Sequence, residues 1–334
     1  MKIIVPMAGR GSRLRPHTLT VPKPLVPVAG KPIVQRLVED ITKVCNEPVD
    51  EIAFIIGDFG KQVEDDLVKV AESLGAKGTI CHQEEALGTA HAILCAKEAL
   101  TGKVIVAFAD TLFKADFKLD ADSEGIIWVN QIDDPSAFGV VKLDENNYIT
   151  DFVEKPETFV SDLAIIGIYY FKDGEYLRNE LQYLIDNDIR EKGEYQLTNA
   201  LESMKNKGTK FKTGQVIEWL DCGNKNATIY TNQRILEFNK EDDLVANSAT
   251  VTNSVVIPPC YIGENAVITN SIVGPHVSVG NDTKIEGCVI SNSLIQTHSN
   301  LKSVNASNSM IGNFVDYTAT PADISIGDYS TLKN

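Results

Sequence analysis

The sequence predicts an α/β layer fold with a mostly parallel sheet, followed by a short stack of parallel β-coils. Three observations predict it. Up to about residue 235, apolar runs of strand length alternate with segments whose apolar residues recur at helical spacing. Beyond Asn239 the helical period disappears, and Asn, Ser and Gly accumulate around small β-branched units that recur near every six residues. The length, 334 residues, suits two domains. The expected division is 1–239, a polar linker over 240–248, and 249–334.

The elements follow in order. Lys2–Met7 is an apolar run of strand length that breaks into a glycine turn, Ala8-Gly9-Arg10-Gly11-Ser12-Arg13. Glycines there let backbone N–H groups close on an anion with no Cβ in the way. Pro32–Val44 places Ile33, Leu37, Ile41 and Val44 on one helical face. Glu51–Ile56 reads as a strand, Lys61–Leu74 as an amphipathic helix ended by Gly75, Thr79–His82 as a strand, and Gly88–Leu100 as a helix. Lys103–Phe108 is an apolar strand that delivers Asp110 at its carboxyl end, the edge at which ligands of parallel sheets bind. Strands are expected at Ile126–Val129, Gly139–Leu143, Ile165–Phe171 and Gln215–Trp219, and helices at Glu175–Asp186, Gln196–Lys205 and Lys225–Phe238.

In the second region the recurring units are Ile262-Gly263, Ile268, Val273-Gly274, Val279-Gly280, Ile285 and, more loosely, Leu301. This pattern resembles the hexapeptide repeat of left-handed β-helices, in which the apolar residue of each unit points into a narrow prism. The spacing slips at 268–273 and loses regularity after 290, so about three coils are expected. Asn313–Asn334 is expected as a cap or an exchanged strand. An irregular β-sandwich is the alternative.

Composition narrows the function. The net charge is −15, yet Met1–Val38 holds seven Lys or Arg and no Asp or Glu, leaving 24 basic against 46 acidic side chains elsewhere. An acidic chain that places its one basic stretch on a glycine turn points to a phosphate ligand, and argues against nucleic acid or an anionic membrane as partner. No run approaches the roughly 20 apolar residues of a membrane span, and no secretory leader pattern is present. The six cysteines form no C-x-x-C pair, so they are expected reduced and mostly buried, in a cytoplasmic protein.

The loop is neither of two common phosphate binders. A Walker loop needs Gly-x-x-x-x-Gly-Lys-Ser/Thr, which is absent, and a dinucleotide fingerprint needs glycine where Leu14 stands. Ala8, Gly9, Gly11, Ser12, Arg13, Leu14 and Pro16, followed by Pro22-Lys23-Pro24-Leu25, instead resemble the A-G-x-G-[ST]-R-L-x-P and P-K-P-L signature of sugar-1-phosphate nucleotidylyltransferases. The turn has the shorter form found in UTP–glucose-1-phosphate uridylyltransferases, whereas thymidylyltransferases usually carry one more residue. Further segments match in family order over residues 1–238. The implied fold is a Rossmann-like nucleotidyltransferase sheet followed by a short left-handed parallel β-helix.

The implied reaction joins a sugar 1-phosphate to a nucleoside triphosphate, dTTP or UTP, and releases pyrophosphate. Glucose 1-phosphate is the expected acceptor. A phosphate monoester is largely a dianion at pH 7, its second pKa being about 6. It is already a nucleophile, so the obstacle is repulsion between polyanions rather than deprotonation. The resemblance assigns the tools. Ala8, Gly9, Gly11, Ser12 and Arg13 cradle the triphosphate, and Arg13 and Lys23 carry catalytic positive charge. Asp110 and Asp221, in Trp219-Leu220-Asp221-Cys222-Gly223, hold Mg²⁺. Gln83, Gly88 and Thr89 meet the nucleotide, with Gln83 on a pyrimidine edge. Gly139, Glu154, Lys155 and Gly167 meet the sugar phosphate, and Ile166 departs from the polar residue relatives often show beside that glycine. Gly193–Thr198 is taken as structural, and His91 as a helix residue rather than a ligand.

Alternatives are a mannose-1-phosphate guanylyltransferase and a non-catalytic regulatory subunit on the same fold. The latter predicts loss of Lys23, Asp110 or Asp221, and all three are present. Acyl transfer by the β-helix would need a histidine base, and His276 and His298 lie in no motif for it. A homo-oligomer, assembled through the β-helix, is expected.

Overall fold

A computed structural model describes residues 1–9, 11–116 and 118–331. By internal packing the chain divides into two units. One is Met1–Val26 with Lys31–Thr228, and the other is Pro27–Gly30 with the chain from Ile229 onward.

The first unit contains β1 (Lys2–Pro6), α1 (Ile33–Val44), β2 (Glu51–Ile56), α2 (Lys61–Ser73), β3 (Lys77–His82), α3 (Thr89–Leu94), β4 (Val104–Ala107), β5 (Thr111–Lys114), β6 (Gly125–Gln131), β7 (Gly139–Leu143), β8 (Ile149–Glu154) and β9 (Leu163–Phe171). It continues through α4 (Gly174–Asp186), α5 (Leu197–Asn206), β10 (Phe211–Gln215) and β11 (Glu218–Asp221) into α6 (Lys225–Phe238). Among the described residues nine strands form one sheet, ordered β8-β7-β9-β4-β1-β2-β3, with β6 paired to both β9 and β10. The α/β layer fold is as expected, but the sheet is mixed rather than mostly parallel. β4, β1, β2 and β3 run parallel, whereas β9 enters antiparallel to β4, β6 and β7. The reason lies in the connections. Helical crossovers return the chain parallel in the first half, while β6 to β9 follow one another without helices and must reverse.

Ile3, Ile4 and Val5 are fully buried, as a strand at the centre of two packed layers requires. Ile4, Val104 and Val106 pack with α3, α4 and α5 through Ile93, Leu177 and Leu201. Ile41 and Val44 of α1 border a small internal cavity with Ile105 and Ile168 on the other face.

Two local expectations need correction. The helix expected over Gly88–Leu100 ends at Leu94, beyond which Ala96, Lys97 and Ala99 bond to carbonyls three residues back. That tighter winding turns Ala96, Ala99 and Leu100 into the core. The strand expected over Gln215–Trp219 is the break between two strands: β10 pairs with β6 in the main sheet, and β11 leaves it to pair antiparallel with β5. The strands β5 and β8 are not among the expected elements.

In the second unit three stacks of short parallel strands form the β-helix. Thr250 pairs with Val267 and Val267 with Lys284, a coil of 17 residues; Lys284 pairs with Asn300 and Asn300 with Asp316, a coil of 16. Among the described residues one stack holds five strands and the others four, more than the three coils expected. The slip at 268–273 is part of the period: the same five-residue step recurs at 285–290 and 301–306, so buried Ile268, Val273, Ile285, Ile290 and Leu301 all fall in one column system. Corners are made by residues in the left-handed region, Asn265, Asp282, His298 and Phe314 at φ 55–56°. Asn265 Nδ2 donates to Asp282 Oδ1 across one coil step (3.1 Å). Buried Asn232 accepts from Ser278 Oγ (2.7 Å) and from the Ala29 N–H (2.9 Å). Past the strand Asp316–Thr318 the described tail is exposed and has no regular structure, with Ile324 and Ile326 open to solvent; Leu332–Asn334 lie outside the described residues.

Ile285, 1% exposed, sits mid-stack with a neighbour coil on each side. Ile285→Ala is expected to cost about 2–5 kcal/mol, measured as a lowered midpoint in denaturant unfolding.

Candidate functional site

The site begins where β1 ends. After Pro6 the chain passes Ala8 and Gly9; Arg10 lies outside the described residues. Gly11 then adopts a left-handed conformation (φ 58°, ψ 36°) and opens a single 3₁₀ turn, Ser12–Leu14, anchored by buried Leu14. A Cβ on Gly11 would lie 2.8 Å from the Lys23 Cβ. Only glycine permits both that backbone angle and that approach. Thr18 Oγ1 donates to the Gly11 carbonyl (2.8 Å), closing the turn. Lys23–Leu25 is a second 3₁₀ turn, and its fold-back sets Lys23 beside the first.

Lys23 Nζ lies 2.8 Å from Asp110 Oδ2. Asp110 follows the end of β4, where the Phe108 N–H donates to the Gly167 carbonyl (2.9 Å). Antiparallel pairing places Asp221 opposite Thr111, and the Cys222 N–H donates to the Asp110 carbonyl (2.9 Å). Two carboxylates from strands far apart in sequence are thereby brought together. Burial pushes the Asp221 carboxyl above its ordinary range and the Asp110 carboxylate pushes it further, while the Gly223 N–H, Lys23 and Arg13 pull the other way. Asp221 thus feels Asp110, Lys23 and Arg13. Among the described residues no group of three or more His, Cys, Asp or Glu could hold a metal ion. The carboxylate pair nonetheless suits Mg²⁺, which takes one or two carboxylates and completes its shell with water and substrate phosphate.

A cavity of about 280 Å³ opens here. Ala8, Gly9, Gly11, Lys23 and Asp110 line one side, and Gln83, Gly88 and Thr89 line the other. Gln83 follows β3, its N–H bonded to the Ile56 carbonyl (2.8 Å). Gly88 (φ 114°) lies against the Tyr195 backbone, where a Cβ would come within 2.5 Å of the carbonyl oxygen. Ser12, Arg13 and Asp221 are not in the cavity wall.

The four residues expected at the sugar phosphate group around β7–β9. Gly139 pairs with Glu154 across β7 and β8, and Glu154 Oε2 lies 3.1 Å from where a Gly139 Cβ would be. Lys155 Nζ is 3.5 Å from Glu154 Oε1. Gly167 (φ 83°) interrupts the register of β9 and lies against Phe108. None of the four lines the 280 Å³ cavity.

Two features were missed by the sequence reading. The Tyr195–Thr198 segment, taken as structural, joins the two halves. The Leu197 N–H donates to Thr89 Oγ1 (2.9 Å), and the Thr198 methyl lies 3.6 Å from the Gly139 Cβ position. Thr198 Oγ1 is buried with no hydrogen-bond partner among the described residues, a state polar groups avoid unless a ligand completes them. The signal available in the sequence was a hydroxyl residue inside an otherwise apolar helix stripe, Leu197, Ala200, Leu201 and Met204.

Residues 2–237 match the family described as Nucleotidyl transferase, and residues 240–312 match one described as GlmU-like, C-terminal hexapeptide. The chain is 31% identical over 265 residues to the Bifunctional protein GlmU of Methanococcus maripaludis, covering 77% of this chain and 60% of that protein. It is 30% identical over 267 residues to the Low-salt glycan biosynthesis nucleotidyltransferase Agl11 of Haloferax volcanii, covering 76% of this chain and 72% of that one. The chain therefore spans about 60% of the length of its GlmU relatives. The fold is similar to that of UDP-glucose pyrophosphorylase complexed with UDP-glucose, with a TM-score of 0.60 and 22% identity over 71% of this chain and 98% of that one.

Because Asp221 binds its proton more tightly when folded, its ionisation in the folded state costs stability as pH rises from the ordinary carboxylate range through the raised value. Asp221→Asn is expected to match wild type in acid and to unfold at higher temperature near neutral pH. Thermal melts of ligand-free protein across that pH span check this.

Proposed function

We propose, on the premise that the chain belongs to the nucleotidyl transferase family, that it transfers a nucleotidyl group from dTTP or UTP to glucose 1-phosphate and releases pyrophosphate. The observation that carries this reading is the Lys23 ammonium, 2.8 Å from Asp110 and packed against the Gly11 turn in one cavity. A site of that build answers the need of two polyanions that must meet.

In this reading the Gly9–Gly11 turn receives the triphosphate, and Arg13 and Lys23 offset its charge. Lys23 exchanges its bond to Asp110 for phosphate oxygens. A compact, mobile ammonium suits that exchange better than a planar guanidinium. Gln83 and Gly88 hold the base. Glu154, Gly139 and Thr198 take the sugar hydroxyls, and Lys155 takes the sugar phosphate, which attacks the α-phosphorus in line with departing pyrophosphate. No general base is needed, since the nucleophile is already ionised. Asp110 and Asp221 would hold Mg²⁺, whose charge would further screen the phosphates.

Nucleotidyl transfer is assigned to 1–239 and self-association to the β-helix of 249–334, with sedimentation of the purified chain as the check on the oligomer. Among the described residues no helix is long and apolar enough to cross a membrane, and a cytoplasmic location is proposed.

The test of the reaction is pyrophosphate release across dTTP, UTP, CTP and GTP against glucose and mannose 1-phosphates. Transfer with a pyrimidine nucleotide and glucose 1-phosphate is expected; guanylyl transfer to mannose 1-phosphate overturns the assignment. Lys23→Ala is expected to lose at least about a hundredfold in turnover. Thr198→Val is expected to raise KM for the sugar phosphate about tenfold or more while leaving KM for the nucleotide unchanged, read from initial rates with each substrate varied.

A further inference from the structure

The side chains of Gln83 and His91 meet: Gln83 Nε2 lies 3.2 Å from His91 Nδ1. A primary amide nitrogen only donates, so the ring nitrogen facing it accepts, and the imidazole proton sits on Nε2. The nitrogen of the Gln83 amide is therefore engaged on His91. Its oxygen is the end left for the cavity that Gln83 lines.

We propose that His91 is a positioning residue that sets the base preference of this site; the proposal rests on the nucleotide reading of the cavity given above. By holding the Gln83 nitrogen, His91 offers the base a hydrogen-bond acceptor. The imide N3–H of uracil or thymine satisfies that acceptor. The N3 lone pair of cytosine opposes it. The last torsion of a glutamine side chain is broad and roughly two-fold, so without a partner the amide presents either end and both bases are met equally well.

Both members of the pair are held by their backbones. Gln83 is fixed to the sheet through its N–H bond to Ile56, and α3, which carries His91, is fixed at its next-door residue Ala90, whose N–H donates to the Tyr195 carbonyl (2.9 Å). His91 is half-buried and does not line the cavity. It acts on the base through Gln83 alone.

Two measurements test this on the full chain. Nitrogen-15 chemical shifts of the His91 ring near neutral pH should show Nδ1 unprotonated and Nε2 protonated; a proton on Nδ1 overturns the proposal. Equilibrium titrations with UTP and CTP should show wild type favouring UTP. In His91→Leu, and in His91→Phe, which keeps ring volume without an acceptor, the UTP-to-CTP affinity ratio should fall about tenfold or more, with CTP binding tightened. Folded variants that keep the wild-type ratio, or that weaken both nucleotides equally, overturn it. Because the readout is binding, a wild type that binds UTP yet transfers nothing defeats the proposed reaction alone. Failure to bind either nucleotide defeats both readings.

Discussion

The ion pair between Lys23 and Asp110 is the constraint around which the first unit is arranged. The Lys23 side chain is 13% exposed and its ammonium has Asp110 Oδ2 at 2.8 Å, and buried charges are found paired. That carboxylate has to come from the end of β4, in the middle of the sheet. Lys23 has to come from a turn that folds back over Gly11. The glycine turn, the Pro-Lys-Pro-Leu turn and the carboxyl edge of the sheet are thus three parts of one electrostatic arrangement. The second carboxylate, Asp221, adds tension: burial first, and the Asp110 carboxylate second, hold its carboxyl above the ordinary range, against the pull of the Gly223 N–H, Lys23 and Arg13. Buried charge arrangements of this kind are weak contributors to stability, since desolvation offsets much of their attraction.

The segment Tyr195–Thr198 explains how the two halves of the site stay in register. It bonds to the Gly88–Ala90 turn on one side and reaches Gly139 on the other. Gly88 lacks a side chain so that Tyr195 can lie flat against it. A small displacement of this segment would alter the cavity wall at Gly88 and Thr89 and the Gly139–Glu154 strand pair together, which makes its buried bonds more consequential than its position at the start of a helix suggests.

The parts of this molecule legible in the sequence are those set by short-range chemistry. Gly11, Lys23 and the strand leading to Asp110 announce themselves through glycine, charge and apolar runs. Helical faces such as Ile33, Leu37 and Ile41 are equally plain. What was hidden depends on partners distant along the chain. β5 is a strand because β11 pairs with it more than a hundred residues later, and nothing local marks it. Thr198 carries no motif of its own; its burial beside Gly139 exists only once α5 packs on the sheet. The antiparallel entry of β9 follows from the lack of helical crossovers between β6 and β9, which could be read only by counting connections rather than periods. In the β-helix the five-residue step looked like decay of the pattern because a single repeat was compared with six, whereas the coil as a whole is the unit that repeats.

That last feature governs how this region can change. Each inward side chain rests on one 17 or 16 residues away, on the same face of the prism. Adding or removing one residue within a face would swing every later aliphatic group from the interior to water, as a slipped zip misaligns all the teeth above it. Length here is consequently constrained face by face: coils of 17 and 16 residues stack on one another because the odd residue is absorbed between strands, where Val273 to Val279 spans six residues and Ile290 to Ile295 five, while a change inside a strand has no such outlet.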